Sequence, residues 1–197
     1  MTFTVSNFKS NMAKAGGGAR PSLYKITINN SQQGSLGLNE YESFLVKAAS
    51  IPAANIAPLP VNYAGRAYKW NGFRTYDIWT VTIINDEDFT ARNRMMHWMR
   101  SIAGHLDGNR TRAYGSPLYG NTKRWFDGDA TVTQLGTDGQ DKQVYKFYNL
   151  WPTEIAEIPV DWSNDAIQEY TIGFAYDYWG HGTTSTAKSV VNATSST

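Results

Sequence analysis

Apolar and polar residues alternate with a period of two in several segments of the chain, which is typical of half-buried β-strands. The pattern predicts seven strands, at 22–29, 40–50, 64–71, 75–85, 129–135, 142–151 and 166–179. Tight turns are predicted at Asn71-Gly72 and at 137–139, and Trp151-Pro152 is predicted to end the sixth strand. The alternation therefore predicts a mainly β fold.

One segment follows the helical period instead. It begins at Asn85-Asp86, has acidic residues in its first turn and ends at Gly104. Its apolar stripe consists of Phe89, Met96, Met99 and Ala103, flanked by Met95, Trp98 and Ile102. We expect this stripe to pack on a sheet or on a neighbouring molecule, with the arginines of the helix solvated or paired with acids.

The two ends of the chain differ from the alternating middle. Residues 1–20 are polar and contain Gly16-Gly17-Gly18, whose backbone entropy disfavours a helix or strand, so we predict a flexible N-terminal arm. Residues 181–197 are rich in Ser and Thr and poor in bulky side chains, which predicts a loose C-terminal tail. The predicted organisation is an arm, one domain at 21–180 and a tail.

The charge balance limits the classes of partner. The 197 residues include 18 basic and 17 acidic side chains, a net charge of +1, so no domain-wide field attracts nucleic acid or an anionic membrane. The chain has no cysteine, which excludes disulfides, thiolate zinc sites and cysteine nucleophiles. Because it has no long apolar run, we predict neither a membrane span nor a secretion signal, and we expect folding in a cytoplasm.

Candidate metal and catalytic groups lack the spacing that their chemistry needs. Asp127 and Asp129 resemble the start of a calcium loop, but the later turn residues and the final Glu are missing. His97 and His105 lack the four-residue spacing of a zinc helix, and His181 lies between two glycines. We therefore predict no catalytic site, no metal and no cofactor, and a protein that is not an enzyme.

Aromatic residues make up 14% of the chain and leave a binding alternative open. Tyr114, Tyr119, Trp125 and Phe126 lie in the long segment 105–128, where exposed rings could stack on sugars. The other interpretation is that these rings pack in the domain or against a neighbouring subunit. A saccharide-binding β-sandwich module is thus one alternative function.

The predicted strand at 166–179 favours assembly. Its second face is small and acidic, and consists of Glu169, Thr171, Gly173, Ala175 and Asp177. A long regular strand with exposed edges is an aggregation hazard unless another chain covers it. A sheet that continues from subunit to subunit would satisfy such edges and would explain the many aromatic residues.

Seven short strings, in a shared order and spacing, make the sequence resemble the tail tube proteins of T4-like contractile-tailed bacteriophages. They are ARPSLY at 19–24, KAASIPA at 47–53, RTYDIWTVT at 74–82, NDE at 85–87, LWPT at 150–153, DW at 161–162 and DYW at 177–179. The resemblance extends over residues 19–180. The sequence departs from the family pattern in the loop at 30–40, in the segment at 105–128 and beyond Trp179.

The resemblance implies a β-sandwich-like or barrel-like subunit with one flanking α-helix, related to the secreted tube protein of type VI systems. Members of this family form hexameric rings that stack into a hollow tube inside a contractile sheath, with an inter-subunit β-barrel lining the channel. It further implies a virion protein, assembled in the host bacterial cytoplasm, whose channel holds the tape-measure protein and then passes double-stranded DNA without specific binding. The sheath, baseplate and terminator proteins are the other implied partners.

Two sets of residues are candidates for roles in such a tube. Strand parity places Glu169 and Asp177 on the thin face of the last strand, which we expect to face the lumen. The long loop at 30–40 is expected to reach the adjacent ring, with contacts from Gln32, Gln33, Ser35, Leu36 and Leu38. A tube initiator or terminator at one end of the tail is the alternative within the same structural class.

Overall fold

The computed structural model describes residues 4–14, 16–30, 38, 40–103 and 128–182. The strands in this part of the chain are β1 Tyr24–Asn29, β2 Val46–Ala49, β3 Asn55–Tyr63, β4 Arg66–Thr75, β5 Trp79–Ile84, β6 Gly128–Leu135, β7 Asp141–Ile155, β8 Glu169–Ala175 and β9 Tyr178–Gly182. The helices are α1 Val5–Lys14, α2 Glu40–Phe44 and α3 Thr90–Ile102. The prediction of a mainly β fold is confirmed.

Seven strands form two antiparallel layers that share the long strand β7. The first half of β7 pairs with β6 and β9, and β1 continues this layer at the outer side of β6. The second half of β7 pairs with β8, which is followed by β5 and then by β2. The change of layer occurs near Asn149, whose φ of 55° interrupts the extended backbone.

Alternate residues of the two layers meet in one apolar core. Trp79 of β5 stacks on Phe147 of β7 with ring centroids 4.4 Å apart, and it lies 5.7 Å from the ring of Phe174 in β8. Trp98 of α3 reaches the same cluster, 6.3 Å from Phe174. The alternation predicted for β1, β5, β6 and β8 therefore places their apolar residues in the core, as expected from their period of two.

Helix α3 begins at Thr90, later in the sequence than the predicted start at Asn85-Asp86. The carboxyl group of Asp86 accepts hydrogen bonds from the backbone N–H groups of Thr90 and Ala91, at 2.9 and 3.4 Å, so the helix starts at Thr90. The buried stripe is Ala91, Met95 and Trp98, and the predicted stripe member Met96 is exposed. Phe89 is also exposed and has left-handed backbone angles outside the helix.

The predicted strand at 40–50 is wrong in its first half. Residues 40–44 form the short helix α2, and only residues 46–49 form a strand. The helix buries Glu42, whose carboxylate pairs with Arg94 of α3. This ion pair joins α2 to a helix that is distant in sequence, which the local alternation does not reveal.

Two further predictions are wrong: the end of the sixth strand at Trp151-Pro152 and the continuity of the last strand. Strand β7 continues through Pro152 to Ile155, because the chain pairs with β8 through Trp151 and Ile155 as well as Pro152. The strand predicted at 166–179 is divided into β8 and β9 by a break at 176–177. The break lies beside the layer change in β7, so both partners bend at the same place.

The N-terminal residues are helical where we predicted an arm without regular structure. Helix α1 is followed by three glycines with φ of 69°, 83° and 84°, and the N–H of Gly17 donates to the carbonyl of Met12 at 2.8 Å. The glycines therefore end the helix in the left-handed region instead of preventing it. No residue of α1 is buried.

Candidate assembly surface

One hairpin, formed by β3 and β4, stands apart from the two layers as a separate two-stranded sheet. The strands are antiparallel, from Tyr63 opposite Arg66 at the turn to Asn55 opposite Thr75 at the base. The connection is Ala64-Gly65, with φ of 49° and 73°, and positive φ at both positions is the backbone of a type I′ turn. This hairpin stands where we predicted a single strand, at 64–71.

The hairpin has one apolar face and one polar face. Residues directly opposite each other in a sheet share a face, so the pairing assigns each side chain to one of the two. Leu59 lies opposite Trp70, and Val61 lies opposite Tyr68. With Tyr63 these side chains form the apolar face, and Arg66, which lies opposite Tyr63, is at its turn end. The polar face carries Pro58, Pro60, Asn62, Ala67, Lys69 and Asn71.

Both faces are open to solvent in the subunit. Every residue of β3 and β4 is exposed except the half-buried Gly72, and the indole of Trp70 is 65% exposed. An isolated two-stranded sheet is marginally stable in water, and an apolar face on it costs solubility. The hairpin is thus an incomplete layer that requires a cover.

A bulge bends the hairpin near its base. The register shifts between Ile56 and Pro58, so that Gly72 and Phe73 together lie opposite Ala57. A Cβ on Gly72 would lie 2.5 Å from the carbonyl oxygen of Ala57, which only glycine avoids. Phe73 lies in this bulge, outside the regular pairing that forms the apolar face, and its side chain is 91% exposed.

The outer edges of the end strands β1 and β2 are partly satisfied within the subunit. The N–H of Leu38 donates to the carbonyl of Ile28 in β1 at 2.9 Å. The hydroxyl of Tyr24 has the carbonyls of Val46, at 3.1 Å, and of Lys47 in β2 as acceptors for its one hydrogen. These edges are therefore less available for strand addition than the hairpin.

The two candidate lumen residues are exposed but lie in different settings. Glu169 begins β8, and its carboxylate is 2.5 Å from the ammonium of Lys47. Asp177 lies in the break between β8 and β9, where its carboxylate accepts a hydrogen bond of 2.7 Å from the amide of Asn149. Because the strand is interrupted, the parity that placed both on one face extends only from Glu169 to Ala175.

Of the five candidate contacts to an adjacent ring, the described residues include Leu38 alone. Leu38 is 5% exposed and belongs to the apolar core. Its position fixes the end of the loop to β1. Gln32, Gln33, Ser35 and Leu36 lie outside the described residues.

Helix α1 presents a second apolar surface. Val5, Phe8 and Met12 are exposed and lie within one narrow stripe of the helix. A helix of ten residues is marginal in water without tertiary contacts. The linker behind it is fixed at Arg20, whose carbonyl accepts a hydrogen bond of 2.7 Å from the amide of Gln134.

A third exposed apolar group lies between β7 and β8. The side chain of Trp162 is fully exposed, and Val160 and Ile167 are also exposed. The turn that carries Trp162 is held by Asp161, whose carboxylate accepts hydrogen bonds from the N–H and the hydroxyl of Ser163 at 3.0 and 2.9 Å. An ordered turn with an exposed indole is typical of a protein contact.

The candidate metal and catalytic residues are not brought together in the described part of the chain. There, no group of three or more His, Cys, Asp or Glu side chains could hold a metal ion. Asp129 lies 3.6 Å from the ammonium of Lys146, His97 is exposed on α3, and His181 is 5.8 Å from the ring of Trp179. Asp127 and His105, and the four aromatic residues suggested for sugar binding, lie outside the described residues.

The hairpin was not predicted, although the sequence contains a signal for it. Alternating apolar positions flank Ala64-Gly65 on both sides, from Leu59 to Tyr63 and from Tyr68 to Trp70. The dipeptide Asn71-Gly72, a stronger turn signal, lies inside β4 at the bulge. Pro58 and Pro60 also argued against a strand, since proline is confined to edges.

Comparison with known proteins gives consistent matches over most of the chain. The family model described as phage tail tube protein matches residues 5–181. The tail tube protein gp19 of Enterobacteria phage T6 is 32% identical over 169 residues, which cover 84% of this chain and 93% of the relative. Within the described residues, no helix has the length and apolarity needed to cross a bilayer.

Solved structures show the same fold at low identity. A chain in the sheath-tube complex of an extracellular contractile injection system, PVC, is 12% identical with a TM-score of 0.51, covering 92% of this chain and 99% of that one. A chain in the PVC sheath/tube terminator is 12% identical with a TM-score of 0.56, covering 84% of this chain and 96% of that one.

Proposed function

This chain belongs to the phage tail tube protein family and is a structural tail tube protein of the virion, and we propose that its copies form hexameric rings that stack into a hollow tube inside a contractile sheath. The observation that carries the proposal is the β3–β4 hairpin, which exposes an apolar face in the free subunit. A neighbouring copy supplies the cover in the assembled ring. The family and the exposed hairpin thus support the same conclusion from independent grounds.

The ring closes because each copy presents both an incomplete sheet and surfaces that can cover one. The hairpin continues the sheet of the next subunit, and six copies complete an inter-subunit barrel around the channel. Closure removes the free strand edges that would otherwise promote aggregation. The exposed aromatic residues of the hairpin then become interface residues, where Tyr and Trp are enriched.

The channel passes double-stranded DNA and holds the tape-measure protein before ejection. A conduit for DNA must not bind it tightly, and phosphate attraction rises with each cation that faces the duplex. The net charge of +1 fits this requirement. We assign Glu169 and Asp177 to the lumen because both are exposed and acidic, and because the pairing of Glu169 with Lys47 neutralises one cation at this surface.

The remaining partners lie outside the tube and at its ends. The sheath surrounds the tube, and the baseplate and terminator proteins contact its two ends. The likeness to chains in a sheath-tube complex and in a sheath/tube terminator supports this arrangement through the shared fold. The loop at 30–40 reaches the adjacent ring from its fixed point at Leu38, which is buried in the subunit.

Helix α1 and the residues up to 20 form an arm that becomes ordered on assembly. Its stripe of Val5, Phe8 and Met12 is exposed in the subunit, so a contact with another copy would stabilise the helix. Hydrogen exchange of the amides in α1 tests this: protection should rise from the free subunit to the tube. Equal protection in both states would contradict it.

Negative-stain microscopy of the purified protein over a range of concentrations tests the main proposal. We expect hollow tubes of variable length above a critical concentration, and quantitative mass spectrometry of purified virions should find many copies of the chain. Single rings that never lengthen, with few copies in each virion, would instead indicate a tube initiator or terminator. A monomer at all concentrations would contradict both.

A further inference from the structure

We propose that the hairpin pairs with a neighbouring copy through the outer edge of β4, and that the outer edge of β3 is closed to strand addition. This inference rests on the proposed tube, and it adds which of the two free edges forms the contact. It follows from the turn, the register and the positions of two prolines.

The turn fixes the direction of the backbone N–H groups between the turn and the bulge, at residues 58–63 and 66–71. In a two-residue type I′ hairpin the residues that flank the turn, here Tyr63 and Arg66, exchange both of their hydrogen bonds. Hydrogen-bonded pairs alternate with pairs whose N–H and C=O groups point outward. Leu59 and Val61 therefore bond inward to β4, whereas the even-numbered residues 58, 60 and 62 face outward.

Two of the three outward positions on β3 are proline. Pro58 lies opposite Asn71 and Pro60 lies opposite Lys69, so neither proline costs the hairpin a hydrogen bond. Both remove an N–H from the outer edge of β3, and their rings occupy the space beside it. Over residues 58–62, the only N–H that the outer edge of β3 offers to an added strand is that of Asn62. The edge is closed in the way that natural sheets close an edge.

The opposite edge of the hairpin is open. The outward positions of β4 are Ala67, Lys69 and Asn71, and each has both a donor and an acceptor on its backbone. The bulge at Gly72 limits the regular edge to the segment from Arg66 to Asn71. This segment offers three donors and three acceptors in a regular ladder.

A second copy of the chain is the occupant. The chain belongs to the phage tail tube protein family, and the described residues of each copy include β9, which pairs with a strand on one side only, β7. When a strand of the second copy pairs with β4, the layer to which that strand belongs also contacts the apolar face. This face consists of Leu59, Val61, Tyr63, Tyr68 and Trp70. One contact thus satisfies the open edge and covers the exposed face.

Proline substitutions on the two strands test the assignment with matched variants. Asn62 and Ala67 lie opposite each other in an outward-facing pair, so Asn62→Pro and Ala67→Pro each remove one outward N–H and no bond within the hairpin. Lys69→Pro is a second variant on β4 and mirrors the natural Pro60. The melting temperature of each free subunit is measured first, and the critical concentration for tubes is then measured by sedimentation.

We expect Asn62→Pro to assemble at the critical concentration of the unmodified chain. Ala67→Pro and Lys69→Pro should each raise it about tenfold or more, because a buried carbonyl of the neighbour loses its donor. Equal effects on both strands, or unaffected assembly of both β4 variants, would overturn the assignment while leaving the tube intact. Absence of tubes from the unmodified chain would overturn the tube and this edge together.

Discussion

The guanidinium of Arg94 lies 3.0 Å from the carboxylate of Glu42, and this ion pair joins α3 to α2. The Glu42 side chain is 2% exposed, whereas that of Arg94 is 27% exposed. Removing one partner of a buried pair leaves the other charge buried with fewer compensating contacts and costs more than the pair contributes. The pair therefore fixes the position of α2 where local propensity is weak.

We expect Arg94→Ala to lower the free energy of unfolding of the free subunit by about 3 kcal/mol, because the Glu42 carboxylate stays buried. Arg100→Ala is the control, since Arg100 is exposed on the same helix and its loss should cost less than about 0.5 kcal/mol. Urea denaturation at a concentration below tube formation measures both. Equal values for the two variants would show that the ion pair contributes nothing.

Gly128 allows α3 to approach β6. A Cβ at this position would lie 2.4 Å from the carbonyl oxygen of Asn29 and 2.7 Å from the indole of Trp98. Gly128→Ala should therefore destabilise the subunit by about 2 kcal/mol through overpacking. In Gly180→Ala the nearest atom, in the ring of Tyr148, is 3.7 Å away, so its thermal unfolding should match that of the unmodified chain.

The hydroxyl of Tyr170 is buried, and the described residues supply no hydrogen-bond partner for it. Burial raises the pKa of this phenol, although the guanidinium of Arg92 lies 5.0 Å from the ring centroid and acts in the opposite direction. We expect Tyr170→Phe to leave stability unchanged or to raise it by up to about 1 kcal/mol, because no hydrogen bond is lost.

Tyr24→Phe is the matched comparison for Tyr170→Phe, since the Tyr24 hydroxyl donates to the carbonyl of Val46. Its loss should cost about 1 kcal/mol in the same unfolding measurement. A marked loss of stability in Tyr170→Phe would mean that the buried hydroxyl has a partner, such as an ordered water.

The cap at Asp86 gives the subunit a pH-dependent contribution to stability. Burial acts to raise the pKa of its carboxyl group, but the hydrogen bonds from Thr90 and Ala91 outweigh it and lower the pKa below its ordinary value. A lowered folded-state pKa means that the contribution is present above the unfolded pKa of about 3.9 and is lost as pH falls through the folded value.

Asp86→Ala should therefore cost about 1 kcal/mol at neutral pH, and the difference from the unmodified chain should shrink below about pH 4. Glu87→Ala is the control, because the Glu87 side chain is exposed in the same segment. Denaturation curves at several pH values measure the difference. A constant difference across the acid range would exclude the charged cap.

The apolar face of the hairpin should matter for assembly and not for the subunit fold. We expect Trp70→Ser to unfold within about 0.5 kcal/mol of the unmodified subunit, since its indole is 65% exposed, but to form no tubes. Lys69→Ser, on the polar face of the same strand, should form tubes normally. Microscopy and urea denaturation of both variants separate the two effects.

The sequence was sufficient for elements whose apolar residues face the core of their own subunit. In β5, Trp79, Val81 and Ile83 are buried, as their period of two predicts. Strand β6 and the turn at 137–139 were also located, because Gly139 adopts a φ of 73° that its residue type favours.

The sequence was insufficient where an element depends on a distant contact or lies at the surface. Helix α2 is held by the ion pair of Glu42 with Arg94, which no local pattern contains. The apolar residues of the β3–β4 hairpin are exposed and do not belong to the core of the subunit, so burial in that core could not be used to predict them. Its prolines, which argue against a strand, are compatible with one here because their positions face outward.

In the proposed pairing, Pro58 and Pro60 also limit how many copies can bind to one hairpin. A strand pair open on both sides would accept a partner on each, and contacts made at random could then branch into a network. If each hairpin accepts one partner only, a row of copies does not branch, and it either closes into a ring or continues as an open filament. The two prolines of β3 thus favour ordered assembly over branched aggregation.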